Sequence, residues 1–310
     1  MKVAVLGGTG FIGSHVVEKL VSGGHAVSVL SRGRLQPAYG LPRQAEVWTG
    51  DITDVAALSE FIEGADVVVH CVSSTVPSTS SLDPVGDVER NLIPMIRLLK
   101  LMEKKGMRRI VYFSSGGTVY GNPADDTHAF SERDTLLPLS SYGIVKAAIE
   151  HHLRMGQAHG KLDPIILRAS NPYGPGQGHS GVQGLVGTML DKIRKKETLK
   201  IWGDGGAIRD YVYAADLASL TLAAVESDRT GVFNAGSGIG YSVNEVLHAV
   251  RSLTGAELPV EHLPARGFDV KRVVLDMQKA QDAFGWKPTT TLNDGIAQTW
   301  AWLNRNAIHP

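Results

Sequence analysis

The 310-residue sequence predicts an α/β protein: a doubly wound parallel sheet in the first half of the chain, then a smaller mixed α/β domain. Three observations predict it. Short apolar runs alternate with longer amphipathic stretches as far as residue 171, a glycine-rich turn follows the first apolar run, and beyond Asn171 the alternation gives way to Gly- and Pro-rich sequence and shorter pieces. Strands alternating with helices of this length make βαβ units and a parallel sheet.

Taken in order, Val3–Leu6 reads as a buried strand and Gly13–Ser22 as a helix with apolar residues at helical spacing. Val27–Leu30 is a second strand, and a third precedes Asp51. Asp54–Phe61 reads as helix, Asp66–His70 as strand, Val85–Lys105 as a long helix and Arg109–Phe113 as strand. A long helix at Ser141–His159 and a strand at Ile165–Arg168 complete the first half. Right-handed crossovers place the functional turns at the carboxyl ends of these strands. Asn171–Gln183 reads as a loop, Gly184–Lys196 as a helix, and Ile201–Gly206 and Tyr211–Leu217 as short pieces. Val232–Ala235 reads as a strand returning to the sheet, and Val243–Thr254 and Gly295–Asn304 as helices. Residues 1–171, joined by a returning strand near 230–236, are expected to form the first domain, and 172–310 mainly the second.

Composition excludes several classes of function. Lys+Arg and Asp+Glu number 31 each, so the basic excess of a nucleic-acid binder is missing. With 43% hydrophobic residues the chain has ample material for a core, unlike a disordered one. One cysteine, Cys71, rules out a disulfide framework and a thiolate metal cluster, and no metal site is expected. No apolar run approaches the ~18 residues of a membrane span. A soluble cytoplasmic protein is the default expectation.

Gly7-Gly8-Thr9-Gly10-Phe11-Ile12-Gly13 links the first strand to the first helix. Gly7 permits the tight turn, Gly10 lets a pyrophosphate approach the backbone, and Gly13 lets helix and strand pack closely. The helix start offers N–H groups and partial positive charge to phosphates. In this strand–turn–helix context the pattern points to dinucleotide binding. The second strand ends Leu30-Ser31-Arg32, with no acidic residue for an adenosine ribose, and Arg32 could take a 2′-phosphate. The cofactor is therefore NAD or NADP. Asp51-Ile52 is placed to meet the adenine or, equally, to cap the helix that follows.

Tyr142 and Lys146 stand four residues apart at the start of a long helix, on one face. A tyrosine base near pH 7 must lose roughly three units from about 10. A nearby cation supplies ~1–3 units. Lys146 and a positive nicotinamide ring together reach that shift. Between turn and pair, Phe113-Ser114-Ser115-Gly116-Gly117-Thr118-Val119-Tyr120-Gly121 follows a parallel strand and brings hydroxyls to the same sheet edge.

These segments, with Asn91, Arg168 to Pro175, Arg209-Asp210-Tyr211, Arg266-Gly267-Phe268-Asp269 and Gly285-Trp286-Lys287-Pro288, make the sequence resemble the extended short-chain dehydrogenase/reductase family. Within it, the resemblance is to the nucleotide-sugar epimerases similar to UDP-glucose 4-epimerase. It implies a Rossmann-like fold, a tightly held nicotinamide cofactor, a nucleoside diphosphate sugar between the domains, and a homodimer through helices 85–105 and 141–159. It also implies that Asn171 meets the substrate diphosphate region, that Arg209 and Arg266 clamp the diphosphate, and that Asp269 holds the nucleoside ribose. One departure stands out. The hydroxyl residue that the epimerases carry four positions before the Tyr120 equivalent is Gly116 here, so Ser115, Thr118 or water must take that role. Gly117-Thr118 carries none of the carboxylates of the related dehydratases and decarboxylases, which leaves hydride removal and return at C4. Epimerisation through a 4-keto sugar is the first expectation. A 4-ketosugar reductase, encouraged by Arg32, is the second, and a non-catalytic dinucleotide sensor the third.

Overall fold

The computed structural model describes residues 1–33, 40–177, 184–265 and 270–306. The first strand, β1 (Lys2–Leu6), feeds the turn and helix α1 (Phe11–Ser22), followed by β2 (Ala26–Ser31), β3 (Glu46–Thr49), α2 (Val55–Phe61) and β4 (Val67–His70). Two single turns, α3 (Pro77–Ser80) and α4 (Pro84–Asp87), lead through a π-helical segment, Val88–Leu92, into α5 (Ile93–Lys104). Then come β5 (Arg109–Ser115), α6 (Ser141–Ala158) and β6 (Asp163–Ala169). The second region begins at β7 (Asn171–Tyr173) and continues with α7 (Leu185–Lys195), β8 (Leu199–Trp202), β9 (Ile208–Tyr213) and α8 (Ala214–Glu226). It ends with β10 (Gly231–Ala235), β11 (Gly240–Ser242), α9 (Val243–Thr254), β12 (Val260–Leu263), β13 (Arg272–Val273), α10 (Gln278–Phe284) and α11 (Leu292–Asn306).

Seven parallel strands form the main sheet in the order β10-β6-β5-β4-β1-β2-β3. The strand order reverses its sequence sense at β1, so the crevice outside the carboxyl ends of β1 and β4 is the switch point where such sheets bind ligands. Side-chain alternation builds a core on each face. Val3 and Val5 join Val16, Val17 and Leu20 of α1 and Leu217, Leu220 and Ala224 of α8. Ala4 and Leu6 face the other way, onto Leu58 of α2, Met95 and Leu98 of α5, and Val145 and Ile149 of α6. A third cluster, including Met189, Leu190, Ile201, Val246, Val250 and Ile296, fills the second region.

The chain steps from one sheet to the other at Ser170, whose N–H is held by Ala235 while Asn171 already pairs with Tyr211 of β9. The structure departs from the sequence reading at several elements: β7 opens the expected loop at 171–183, β11, β12, β13 and α10 are additional, and two further differences have a clear cause. Tyr211–Leu217 is not one short piece: β9 ends at Tyr213 and a thirteen-residue helix begins at Ala214. That helix is rich in Ala and Leu and largely buried, so it lacks the polar face that marks a helix in sequence. The long helix expected at 85–105 is there, but Val88–Leu92 is wound as a π segment, a local irregularity common at functional sites.

Candidate active site

The glycine turn is built as its spacing requires. Gly7 has φ +80°, and a Cβ on Gly13 would sit on the Gly7 carbonyl oxygen, so helix and turn close only with glycine at both places. Gly10 is the N-cap of α1 and no side chain caps that helix, which leaves the helix start to a ligand. A cavity of about 360 Å³ opens beside it, lined by Gly7, Thr9 and Gly10, by Ser31, Arg32 and Asp51 to Thr53, and by Cys71 to Ser74 and Arg90. Phe11 and Ile12 form the first turn of α1; Ile12 packs on the core and the Phe11 ring meets His15 edge-on.

The fold removes one of the two readings of Asp51, the helix cap. Asp54 caps α2 by accepting from Ala56 and Ala57, whereas Asp51 accepts from the Thr53 N–H and hydroxyl and lines the cavity. Those Thr53 hydrogen bonds hold its carboxyl below the usual range, and Arg32 adds to the effect. A carboxylate therefore does face Arg32, although the end of β2 supplies none. The Ser31 hydroxyl lies 3.2 Å from that of Thr9, tying strand end to turn.

Tyr142 and Lys146 occupy the first two turns of α6. The N-terminus of this helix is held from three directions: Ser140 accepts from Gly143, Ser80 accepts from the Tyr142 N–H at 3.0 Å, and the Ser141 hydroxyl donates to Asp87 at 2.9 Å. Asp87 is fully buried and also accepts from Thr75 and Asn91, and Asn91 in turn accepts from the N–H and hydroxyl of Ser74. This polar network fixes the π segment and the loop after β4 against the start of α6. Lys146 is buried, donates to the Phe113 carbonyl at 2.8 Å, and lies 4.9 Å from the Tyr112 ring centre and 5.5 Å from that of Tyr142. Ser73 and Cys71 bring the pair to the cavity, because both line it while Ser73 hydrogen-bonds Tyr142 and Cys71 lies within the field of Lys146.

The chain's own groups set the starting point from which Tyr142 must ionise. Burial pushes the phenol up to about 12; the Ser73 hydrogen bond opposes this and the Asp87 carboxylate reinforces it. Burial takes Lys146 down to about 8, against the pull of Cys71, Glu150 and Asp87. The lysine remains an ammonium at neutral pH, and the phenol needs further positive charge to ionise.

At the end of β5, Ser114 is committed elsewhere: it donates to Glu150 at 2.5 Å, and Glu150 pairs with the buried Arg168 at 2.6 Å. Ser115 is half-buried at the strand's last position. The Thr118 hydroxyl is buried and has no hydrogen-bond partner among the described residues. Gly116 has no room for a side chain, since a Cβ would lie 2.7 Å from Leu275 and 2.9 Å from the Arg168 carbonyl. The hydroxyl missing from position 116 is thus excluded by its neighbours.

Of the residues expected to meet a substrate, Asn171 donates to the Asp210 carbonyl at 3.0 Å and stands next to Gly117. Arg209, on β9, donates to its neighbour's carbonyl. The carboxylate of Asp210 is buried and accepts from Ser237 and Gly238, anchoring β9 beneath that arginine. Arg266 and Asp269 lie outside the described residues. Ser73, Asp87, Ser80 and Glu150 escaped the sequence reading. Glu150 had a signal, one turn past Lys146 on the same face; Ser73 had only its place at a strand's carboxyl end. No group of three or more His, Cys, Asp or Glu among the described residues could hold a metal ion, and no described helix is long and apolar enough to cross a membrane.

A dinucleotide-type glycine turn at the switch point of a parallel sheet, with a Tyr–Lys pair at the cavity edge, defines a nucleotide-dependent oxidoreductase-like site. Comparison with known proteins makes the class specific. The pattern of the NAD dependent epimerase/dehydratase family matches residues 3–236, and the chain belongs to that family. It is 33% identical to a putative UDP-glucose 4-epimerase of Methanocaldococcus jannaschii over 98% of this chain and 99% of that one. It is 30% identical to a dTDP-4-dehydro-6-deoxyglucose reductase of Escherichia coli over 95% of each. Among solved structures, UDP-glucose 4-epimerase of Thermotoga maritima with UDP-glucose superposes with TM-score 0.92 at 32% identity, covering 99% of this chain and 100% of that one. The Thermus thermophilus UDP-glucose 4-epimerase in complex with NAD gives 0.91 at 33% identity, over 98% and 99%.

Proposed function

We propose that this chain interconverts the C4 epimers of a UDP-hexose with NAD as its resident cofactor. The observation that carries the reading is the Tyr142–Lys146 pair, set beside the glycine-turn cavity by Ser73 and Cys71, with no carboxylate at 117–118 for elimination chemistry. The residues fit the dinucleotide: the Gly7–Gly13 cradle tolerates no Cβ at Gly13, and the uncapped start of α1 faces the cavity. When bound, the dinucleotide would accept a hydride from the sugar C4 and give it back, and would add positive charge to the site.

The chain's own residues do the rest. Tyr142 takes the proton of the sugar 4-hydroxyl as a general base and gives one back to the same oxygen to complete the turnover. Lys146, fixed by the Phe113 carbonyl, lends its positive charge to the phenolate. Thr118, whose hydroxyl lacks a partner among the described residues, shares the sugar proton in the role that Gly116 cannot fill, with Ser115 as the neighbouring alternative. Asn171, Arg209, Arg266 and Asp269 hold the nucleoside diphosphate while the 4-keto sugar, loosely held, turns about its phosphate linkage. Arg32 facing Asp51 favours NAD over NADP, because a 2′-phosphate there would meet a carboxylate. Exposed Val85, Val88, Ile93 and Ile144 give α4, the π segment, α5 and α6 an apolar outer face that suits a homodimer. We also place the chain in the cytoplasm.

The test is UDP-glucose with the purified protein, followed by proton NMR. A mixture of gluco and galacto forms with no net change in cofactor supports epimerisation. Stoichiometric oxidation of added NADPH with a 4-keto sugar would establish the reductase instead, a reading favoured by the Escherichia coli relative.

A further inference from the structure

Arg168 is the most voluminous fully buried side chain among the described residues, and its partner Glu150 stands one turn past Lys146 on α6. The two are 2% and 1% exposed, and the guanidinium meets both carboxylate oxygens at 2.6 to 3.1 Å. Apolar residues of similar volume would fill that space at little loss of stability, because the attraction within a buried ion pair seldom outweighs its desolvation. What apolar residues cannot do is hold polar atoms at fixed places. Each member of the pair has one such contact to spare.

The two spare contacts fall at opposite ends of one turn. Glu150 accepts from the hydroxyl of Ser114, next to last in β5, at 2.5 Å. Arg168 donates to the Tyr120 hydroxyl at 2.9 Å, which donates on to Asn234 of β10 at 2.6 Å. Between them run Ser115, Gly116, Gly117, Thr118 and Val119. Two adjacent glycines give this stretch little stiffness of its own. Its backbone is held by Gly116 donating to Ala169 and by Thr118 and Val119 donating to Ser115. The buried Thr118 hydroxyl, without a partner among the described residues, lies inside the bracket. The Phe113 carbonyl that fixes Lys146 stands just outside it, one residue before Ser114. Tyr142, Lys146 and Glu150 follow at intervals of four, so one face of α6 carries the base, its cation and the tie to the hydroxyl turn.

We propose that the buried Glu150–Arg168 pair positions the Ser115–Thr118 turn, holding Ser114 at one end and Tyr120 at the other, so that a hydroxyl of that turn meets the sugar proton beside Tyr142. Both are positioning residues, and neither lines the glycine-turn cavity. The inference rests on the reading of Thr118 or Ser115 as the group that shares the sugar proton, and it names what aims them.

The test replaces the pair by apolar residues, Glu150→Met together with Arg168→Met, so that no charge is left buried alone. In thermal melts the paired variant should stay close to wild type, whereas Glu150→Met by itself should melt well below both. With UDP-glucose, kcat of the paired variant should fall by up to about 100-fold, the cost of a small misplacement, with KM and NAD affinity within about twofold. Hydrogen exchange at the Gly116, Thr118 and Val119 amides should speed about tenfold with β1 unchanged, a readout that needs no substrate. Ser114→Ala and Tyr120→Phe each open one end of the bracket and should show the same signs at smaller size; they decide alone if the paired variant fails to fold. Thr118→Val should cost less in the paired variant than in wild type. Asp163→Asn, which breaks the exposed Arg108–Asp163 pair at the far end of β5 and β6, should change none of these. A stable paired variant with wild-type turnover and unchanged exchange at 116–119 would overturn the proposal. So would strict additivity with Thr118→Val, or equal losses of turnover and NAD binding, which would make the pair a general support of the sheet. Wild-type protein that epimerises no UDP-hexose would remove the functional reading, and the exchange rates would still decide whether the pair holds the turn.

Discussion

The two sides of the cleft are built on different plans. The cofactor side is made of backbone: a seven-residue turn, the start of one helix and the ends of two adjacent strands, all set by local sequence and one parallel sheet. The proposed substrate side is made of side chains delivered by separate segments, Asn171 from β7 and Arg209 from β9. Between them stands α6, whose Tyr142 and Lys146 touch the first side through Ser73 and Cys71 and whose N-terminus is tied by Ser80 and Asp87. A rigid grip on the nucleotide cofactor and a looser one on the sugar is what a reaction requiring the sugar to turn over needs.

The sharpest way to break this comparison is at the hinge between the two plans. Tyr142→Phe removes the proton acceptor and nothing that lines the glycine turn. Turnover should fall by about 10²–10⁴-fold, the range of a lost general base, while NAD binding by titration stays within a few-fold of wild type. Near-normal turnover with intact cofactor binding would sink the assignment. Next in size is Gly13→Ala, which places a methyl group on the Gly7 carbonyl oxygen. It should cost about 1–3 kcal/mol of stability, as overpacking does, and lose dinucleotide affinity with it. Asn171→Ala on the other side should raise KM for the nucleotide sugar with cofactor affinity unchanged. If both variants lost cofactor and substrate equally, the two sides would not be separate constructions.

What could be read from the sequence follows the same division. The turn, the strands of the main sheet and the Tyr142/Lys146 spacing are local patterns, so alternation and glycine placement were enough to locate them. The returning strand Gly231–Ala235 was legible because its apolar run is bounded by turns. Helix α8 was not, because burial on nearly all sides erased its amphipathic signature. The polar network was invisible for another reason. Asp87, Thr75, Asn91 and Ser141 come from segments as much as 66 positions apart, and no spacing rule joins them. The same limit explains the acidity of Tyr142. Sequence adjacency predicted a cation's help, but the sign was decided by burial and by Asp87, which only the fold brings near.

Lys146 sharpens the contrast between function and stability. Its side chain is 6% exposed and burial takes its ammonium from 10.5 to about 8. A lysine whose folded value is depressed binds its proton less well folded than unfolded. It therefore lowers stability fully below pH 8, and the cost fades as pH rises from 8 to 10.5. Lys146→Met, similar in length and uncharged, should abolish turnover yet raise stability at pH 7 by at most about 3 kcal/mol. The gain should shrink above pH 8 in thermal melts. A variant less stable than wild type at pH 7 would show that the Phe113 contact outweighs the desolvation.

The smallest effect separates the two sides by acid. His70, at the end of β4, is 4% exposed, and burial, helped by the Lys146 charge, takes it from 6.5 down to about 3. The folded state refuses a proton that the unfolded chain accepts. Stability is therefore lost as pH falls below 6.5, by about 2 kcal/mol at pH 5 for this group. Asp210 on the substrate side works in the opposite sense. Burial raises its carboxyl above 3.8 despite its hydrogen bonds to Ser237 and Gly238, so its contribution to stability improves as pH falls. Mild acid should then loosen the main sheet before the second region. In hydrogen exchange corrected for intrinsic rates, amides of β4 and β5 should lose protection between pH 7 and pH 5 while those of β9 keep theirs. His70→Leu should remove much of that loss. Equal loss of protection in both regions, or no change with His70→Leu, would place the acid-sensitive group elsewhere.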